Sequence, residues 1–157
     1  MVEAHQGLAY SIAFRFTRDE NESEDLVQEA FIKIWKNISN YNEEYRLKTW
    51  LSKITTNLCL DYLKSSRNKK MTNEAKEQEP FVHEDKLETE ELKNIVLRLA
   101  EQLTEKQKAV FILRDLELQT TEEVCQALQM SASNMKSNLY YARMKIKEGL
   151  QKIYERK

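Results

Sequence analysis

Apolar residues recur at helical spacing in three stretches of the first 66 residues, and each stretch predicts an amphipathic helix. The first helix is predicted at about residues 4–18 and the third at about residues 47–66. The second is predicted to begin after Asn21, because Asn21 and Glu24 have the spacing of a capping box. Its apolar stripe is wide enough for a central core helix and consists of Leu26, Val27, Ala30, Phe31, Ile34, Trp35 and Ile38.

Four further helical segments are predicted between residues 91 and 157, and three of them follow a residue suited to cap a helix. Those caps are Thr104, Thr120 and Ser131. After Thr120, a helix of about eight residues ends in a tight two-residue turn, and a longer helix follows. This order is that of a helix-turn-helix, whose second helix lies in the major groove of DNA.

The segment between the two groups of helices differs in composition from both. It contains Pro80, which is the single proline of the chain, and it has almost no periodic apolar residues. We therefore predict an acidic linker at residues 67–90. The predicted fold class is all-α, with two small helical domains at residues 1–66 and 91–157. The first is expected to be a bundle of three to four helices, and the second a helix-turn-helix bundle.

The scarcity of glycine and proline supports an all-helical fold. The 157 residues include 2 glycines and 1 proline. The turns of an all-β fold need glycine for positive φ and proline for fixed φ, and phosphate-binding loops need runs of glycine. Glycine is also missing from the turn of the predicted helix-turn-helix, where Gln129 stands instead. A left-handed conformation there costs about 1–2 kcal/mol for a residue other than glycine.

The formal net charge of −1 conceals alternating blocks of charge. Residues 46–70 carry seven basic side chains and one acidic one, and residues 131–157 carry seven basic and two acidic ones. The segments 1–45 and 71–91 are acidic instead. Basic blocks on helices with interleaved aromatic and hydroxyl residues suit contact with nucleic acid. From charge alone, two ordinary solvated helix faces remain an alternative.

The sequence contains no pattern that predicts catalysis, and we expect a protein that is not an enzyme. His5 and His83 are isolated, and Cys59 and Cys125 lack the spacing of metal ligands, so no metal or other cofactor is expected. Two reduced thiols are typical of a cytoplasmic protein. The longest apolar run, residues 109–113, is far shorter than the roughly 20 residues of a membrane helix, so membrane insertion is not expected.

Two long stretches of the chain resemble a known family. Residues 103–150 read LTEKQKAVFILRDLELQTTEEVCQALQMSASNMKSNLYYARMKIKEGL, which resembles region four of bacterial RNA polymerase sigma factors. The resemblance is to the extracytoplasmic-function (ECF) group of the sigma-70 superfamily. In the first half, LVQEAFIKIWKN, preceded by Glu24 and Asp25, and KTWLSKITTNLCLDYLKSSRNK are similar to region two of the same family.

The resemblance implies a sigma factor that binds core RNA polymerase and directs it to promoter DNA, with an anti-sigma factor as a further partner. In the family, the second helix docks on the polymerase, and the matching residues here are Asp25, Gln28 and Glu29. Acidic and amide groups one turn apart suit charge-assisted hydrogen bonds to Arg and Lys. The acidic cluster at residues 19–29 also favours the positive end of the helix dipole, which is a purely structural alternative.

The resemblance also implies that region two captures single-stranded DNA at the minus-ten element. The matching residues are Asn40, Tyr41, Tyr45, Arg46, Lys48, Thr49, Trp50, Lys53 and Arg67. Aromatic side chains can stack on extruded bases while basic groups follow the backbone. For Trp50, packing in the core is the alternative, and for the two tyrosines the alternative is a solvated loop.

The recognition helix is expected to read the minus-thirty-five element, with Met135 and Leu139 facing inward. The DNA-facing residues are predicted to be Ser131, Ser133, Asn134, Lys136, Ser137, Asn138, Tyr140, Tyr141 and Arg143. Whether each contacts a base or a phosphate stays open. Asn138 and Tyr141 replace two arginines that are frequent in the family, and Leu118-Gln119 replaces a glycine-leucine pair.

Two other classes of function compete with this interpretation. A dimeric helix-turn-helix regulator acting without core polymerase would use residues 104–150 alone, but it would leave the helix of Trp50 without a role. A helical adaptor protein with no DNA function is the third possibility.

Overall fold

The computed structural model describes residues 2–40, 46–72 and 88–155, and all their regular structure is helical. Three α-helices form the first half: α1 (Val2–Thr17), α2 (Glu20–Lys36) and α3 (Leu47–Thr72), with a 3-10 turn at Ile38–Asn40. Four form the second half: α4 (Glu88–Ala100), α5 (Glu105–Phe111), α6 (Thr121–Leu128) and α7 (Ala132–Glu155). A π-helical turn at Ile112–Leu116 extends α5. The all-α prediction is confirmed.

The caps that begin α5, α6 and α7 are those that the sequence predicts. The Thr104 side chain accepts a hydrogen bond from the Gln107 amide, and the Gln107 side chain accepts one from the Thr104 amide. The hydroxyl of Thr120 accepts from the Glu123 amide, and that of Ser131 accepts from the Asn134 amide at 3.1 Å. These bonds satisfy amides that have no partner inside the helix.

The cap of α2 differs from the predicted one. Asp19 is the N-cap, with extended backbone and a side chain that accepts a hydrogen bond from the Glu22 amide. Asn21 lies inside the helix instead. Both residues are short and polar, so each suits a cap. Arg18 has a φ of 56° and reverses the chain just before this cap, which sets the start of α2 two residues earlier than the sequence predicts.

The third helix is also longer than predicted, because it continues to Thr72 rather than ending near Ser66. Residues 67–72 of the predicted linker are therefore helical. At the other end of the predicted linker, α4 begins at Glu88. Residues 73–87 lie outside the described residues. The boundaries of the two domains stay a prediction.

One apolar core extends through both halves. Its fully buried members include Ile12 and Phe16 of α1, Leu51 of α3, and Leu113 and Met135 of the second half. A smaller cluster joins α4 to the end of α7 around Ala100, Leu103, Phe111, Ala142 and Ile146. In this second cluster, α7 approaches α4 at Gly149, where an added Cβ would lie 2.6 Å from a methyl group of Leu99.

Candidate polymerase and nucleic-acid surfaces

The helix-turn-helix predicted from the sequence is present in the second half. Its first helix, α6, ends at Gln129, which adopts the left-handed conformation with φ of 53° and ψ of 51°. The Met130 amide then donates to the Cys125 carbonyl at 3.1 Å and closes the turn. The turn therefore has the geometry that favours glycine, although glutamine occupies it.

The recognition helix α7 presents one face to solvent and the other to the core. Met135 and Leu139 are buried, as predicted. Almost all the predicted DNA residues are exposed, namely Ser131, Ser133, Asn134, Lys136, Ser137, Tyr140, Tyr141 and Arg143, and Asn138 is half-buried. Tyr140 and Tyr141 contact each other edge to face, with ring centroids 5.4 Å apart.

Several of the predicted DNA residues at the recognition helix already have protein partners. The Asn138 amide nitrogen donates to the carbonyl and side-chain oxygens of Asn134 at 2.9 and 2.8 Å. A bidentate contact of either amide with adenine would replace these bonds. The guanidinium of Arg143 forms two hydrogen bonds to the carboxylate of Asp115, at 2.8 and 2.6 Å, and this pairing raises the pKa of Arg143. Arg143 thus fastens α7 to the π-helical turn.

The predicted polymerase-docking residues share one exposed face of α2. Asp25, Gln28 and Glu29 are exposed, and the buried side chains of α2 lie on the opposite face. Since Ile32 follows Asp25 by seven residues, it extends the same face by a turn. Ile32 is 53% exposed, and Trp35, one turn further, is 77% exposed. We call Asp25, Gln28, Glu29, Ile32 and Trp35 the docking face.

The apolar stripe predicted for α2 is therefore partly wrong. Leu26, Val27, Ala30 and Ile34 are buried, whereas Trp35 and Ile38 are exposed, the latter by 55%. Large apolar side chains grouped on a surface mark interaction sites. Sequence reasoning missed Ile32 as a functional residue, although its spacing from the acidic cluster places it opposite the buried side chains.

The predicted minus-ten residues are not presented together. Asn40, Arg46 and Arg67 are exposed, and Lys48, Trp50 and Lys53 are half-buried. Thr49 is only 4% exposed, so this arrangement does not offer it to DNA. Trp50 packs against the apolar core, which is the alternative to DNA contact that its helical spacing allows. Tyr41 and Tyr45 lie outside the described residues.

The second half covers part of this surface. The ammonium of Lys48 lies 3.1 Å from a carboxylate oxygen of Glu123 on α6. Burial of the Glu123 carboxyl acts to raise its pKa, but the ion pair with Lys48 and the hydrogen bond from Thr120 outweigh burial. The pKa of Glu123 is therefore lowered. One turn along α3, the hydroxyl of Ser52 accepts a hydrogen bond from the side chain of Gln119 at 2.9 Å. Both Ser52 and Gln119 are buried.

The part of the chain that the structure describes contains neither of two further kinds of feature, a metal-binding cluster and a membrane-spanning helix. Within residues 2–40, 46–72 and 88–155, the histidine, cysteine and carboxylate side chains form no cluster suited to a metal ion. Over the same ranges, no helix combines the length and apolar character needed to cross a membrane.

The structure has two helical parts, and the second is a helix-turn-helix whose recognition helix is basic and exposed. These features are those of a DNA-binding transcription protein. The sequence matches Sigma-70 region 2 over residues 1–69 and Sigma-70, region 4 over residues 93–146. The chain therefore belongs to the sigma-70 family, in its ECF group.

Individual relatives agree with this assignment. A probable RNA polymerase sigma factor of Haemophilus influenzae is 29% identical over 150 residues, which span 83% of this chain and 77% of the relative. The ECF RNA polymerase sigma factor SigX of Bacillus subtilis is 28% identical over 142 residues, 85% of this chain and 72% of SigX.

Solved structures share the fold at lower identity. The sigma factor RpoE, in complex with the anti-sigma factor NepR from Bartonella quintana, superposes with a TM-score of 0.73 and 18% identity, over 96% of this chain and 94% of that one. CnrH, in complex with the cytosolic domain of CnrY, gives a TM-score of 0.70 at 18% identity, over 96% of this chain and 84% of that one.

Proposed function

We propose that this chain binds core RNA polymerase and directs it to promoters, as the family to which it belongs suggests. The observation that carries the proposal is that both sigma regions occur in one chain, in order, each with an exposed surface of suitable chemistry. The docking face would contact polymerase, and α7 would read the minus-thirty-five element. The polymerase would supply the chemistry of RNA synthesis.

The minus-ten surface is assigned to the loop before α3 and to the first turns of α3. Arg46, Lys48 and Lys53 supply the cationic groups there, and Arg67 adds a positive charge further along the helix. The first three groups would follow the backbone of a single strand, and Arg67 would meet phosphates of the duplex.

An anti-sigma factor is a further proposed partner. The proposed location of the protein is the cytoplasm. The sigma factor RpoE is solved in complex with the anti-sigma factor NepR, and CnrH in complex with the cytosolic domain of CnrY. Both share the fold of nearly the whole of this chain, and this likeness supports the proposal of such a partner.

Run-off transcription tests the proposal. Core RNA polymerase, this protein and fragmented genomic DNA are expected to give discrete transcripts that share a promoter sequence upstream of their start sites. Polymerase alone is the control. Failure to form a stable complex with core polymerase in a pull-down would overturn the proposal. Tight binding of a promoter duplex by the isolated protein, without polymerase, would instead favour the helix-turn-helix regulator.

A further inference from the structure

The first turns of α7 hold two asparagines that are joined side chain to side chain. The side-chain nitrogen of Asn138 donates to the backbone carbonyl of Asn134 at 2.9 Å and to its Oδ1 at 2.8 Å. Residues four positions apart lie one above the other on the same face of a helix. Asn134 is exposed and Asn138 is half-buried, so the pair lies on the solvent face of α7.

The helix backbone fixes the orientation of both side-chain amides. A main-chain carbonyl only accepts, so the atom of Asn138 that faces it is the nitrogen and not the oxygen. The second hydrogen of this nitrogen then points to an acceptor, which is Oδ1 of Asn134. Turning either amide over would place oxygen against oxygen, or one set of N–H donors against another. A single combination of orientations therefore matches a donor with an acceptor in both contacts.

The main chain of Asn134 is held as firmly as its side chain. Asn134 is the third residue of α7, and its amide donates to the hydroxyl of the cap Ser131 at 3.1 Å. In an asparagine side chain, Oδ1 and Nδ2 lie on opposite sides of Cγ. Because Oδ1 faces Asn138, Nδ2 faces away from it. The exposed end of Asn134 therefore presents the two N–H donors of its amide.

This orientation differs from the one that asparagine needs for its usual base. Recognition helices contact base edges with residues of their first turns, where Asn134 lies. Asparagine ordinarily pairs with adenine, whose N6 requires the amide oxygen and whose N7 requires the amide nitrogen. In Asn134 the oxygen is engaged by Asn138, and the donors are presented. Guanine fits this arrangement, because its N7 and O6 are two neighbouring acceptors in the major groove.

We propose that Asn138 is a positioning residue that holds Asn134 as a hydrogen-bond donor, and that Asn134 thereby selects guanine at one base pair of the minus-thirty-five element. The inference rests on the proposed function, since it takes α7 as the helix that reads this element. Asn138 replaces an arginine that is frequent in the family, and here it acts through Asn134 without contacting a base. The pair therefore reverses the preference of an unrestrained asparagine.

A promoter library with a randomised upstream element tests the base preference. The full-length chain selects from the library twice, once bound to core polymerase and once alone at high protein concentration, and the selected DNA is sequenced. The base pair that Asn134 reads is the one at which Asn134→Ala loses its preference. At this base pair, we expect wild type to favour guanine over adenine by about fivefold or more.

Two substitutions of Asn138 change the orientation of Asn134 without altering Asn134 itself. Asn138→Ala releases the oxygen of Asn134, so the preference should change to adenine by about fivefold. Asn138→Asp supplies a carboxylate that only accepts, so the nitrogen of Asn134 should turn towards it and the oxygen outwards. Guanine should then become the least favoured base. The added negative charge lowers the affinity for all sequences alike and leaves their ratio unchanged.

The Asn134→Ala background shows whether Asn138 acts through Asn134. In that background, Asn138→Ala should leave the base preference unchanged, whereas a direct contact of Asn138 with a base would still shift it and would overturn the proposal. Gln151→Ala, which removes an exposed amide near the end of α7, is the control and should keep the preference of wild type. Circular dichroism checks that each variant is folded.

A preference of wild type for adenine at this base pair would contradict the proposal. The same preference in wild type and Asn138→Ala would contradict it equally, even if the affinity of the variant fell for every sequence. Such a uniform loss is what a merely structural role of Asn138 predicts.

Nuclear magnetic resonance of the free chain tests the restraint without DNA. The order parameter of the Asn134 side-chain amide is measured in wild type and in Asn138→Ala. We expect an ordered amide in wild type and a value below about 0.6 in the variant, close to that of the exposed Gln151 amide. Equal mobility of Asn134 in the two proteins would overturn the positioning role.

The inference and the proposed function fail in different ways. If the chain with polymerase selects no element and gives no transcripts, the proposed function is contradicted. The selection by the chain alone and the mobility of Asn134 would then still decide for or against the role of Asn138. Absence of any selected element in both arms would overturn the inference as well.

Discussion

Among the residues that the structure describes, three other than glycine have a positive φ, and each carries strain. They are Arg18, Leu118 and Gln129, with φ between 53° and 57°. The sequence predicts one of them, because Gln129 stands where a helix-turn-helix often has glycine. The other two were not predicted, since no local pattern separates a strained residue from an ordinary loop residue.

Replacement of Gln129 by glycine is expected to stabilise the protein. Glycine adopts the left-handed conformation without strain, and the exposed glutamine side chain contributes little. The free energy of unfolding should rise by about 1 kcal/mol in urea titrations. Gln126→Gly, an exposed position inside α6, is the matched control and should lower it by about 0.5–1 kcal/mol. Loss of stability in Gln129→Gly would contradict the argument.

Lys108 is a buried lysine whose contribution to stability depends on pH. Its ammonium donates to the Phe16 carbonyl at 3.2 Å, and burial lowers its pKa. Between that lowered pKa and the ordinary value of about 10.5, the unfolded chain binds more protons than the folded protein, so stability rises with pH.

We therefore expect wild type to gain stability relative to Lys108→Met as the pH rises from 7 towards 10.5. Urea unfolding of both proteins at several pH values measures this difference. Lys106→Met, which removes an exposed lysine of the same helix, serves as the control. Cys59 is present in all three proteins, and burial raises its pKa to about 12. A difference that stays constant or falls with pH would contradict the prediction.

At the scale of elements, α2 shows why hydrophobic periodicity identifies a helix but not the role of each face. Its stripe was predicted to face the core as a whole, yet Trp35 and Ile38 face solvent. A side chain that packs on a partner has the same apolarity as one that packs in the core. The periodicity alone therefore could not separate the two.

The docking face provides the test at this scale. Ile32→Ser/Trp35→Ser is expected to weaken binding to core polymerase by about 30-fold or more, because buried aromatic anchors dominate interfaces. Since both side chains are exposed, the free energy of unfolding should change by less than about 0.5 kcal/mol per substitution. Surface immobilisation of core polymerase measures the affinity, and Tyr154→Ser, an exposed aromatic residue of α7, is the control. Unchanged affinity would place the polymerase contact elsewhere.

At the scale of the whole molecule, the sequence predicts two helical parts but not how they meet. The caps Thr104, Thr120 and Ser131 follow from local chemistry, and so does the helix-turn-helix. The hydrogen bond between Ser52 and Gln119 does not, because these two residues are remote from each other in sequence. Pairs such as Ser11 with Glu117 have no periodicity that a single sequence could reveal.

A shared core predicts cooperative unfolding of the two halves. Both tryptophans belong to the first half, whereas circular dichroism reports all helices. The thermal midpoints from tryptophan fluorescence and from circular dichroism should therefore coincide in the wild type. The two midpoints should separate in the double variant Glu117→Gln/Glu123→Gln, which removes two carboxylates that pair with the first half. They should still coincide in the control Glu122→Gln/Glu148→Gln, which removes two exposed carboxylates. Two separate midpoints in the wild type would contradict a common core.

The exposed end of α2 also affects how the free protein behaves at high concentration. Ile32, Trp35 and Ile38 place three large apolar side chains in water within seven residues. A formal net charge of −1 provides little mutual repulsion between molecules. The free chain is thus predisposed to self-association, and its colloidal stability should improve in Ile32→Ser/Trp35→Ser, which removes two of these side chains.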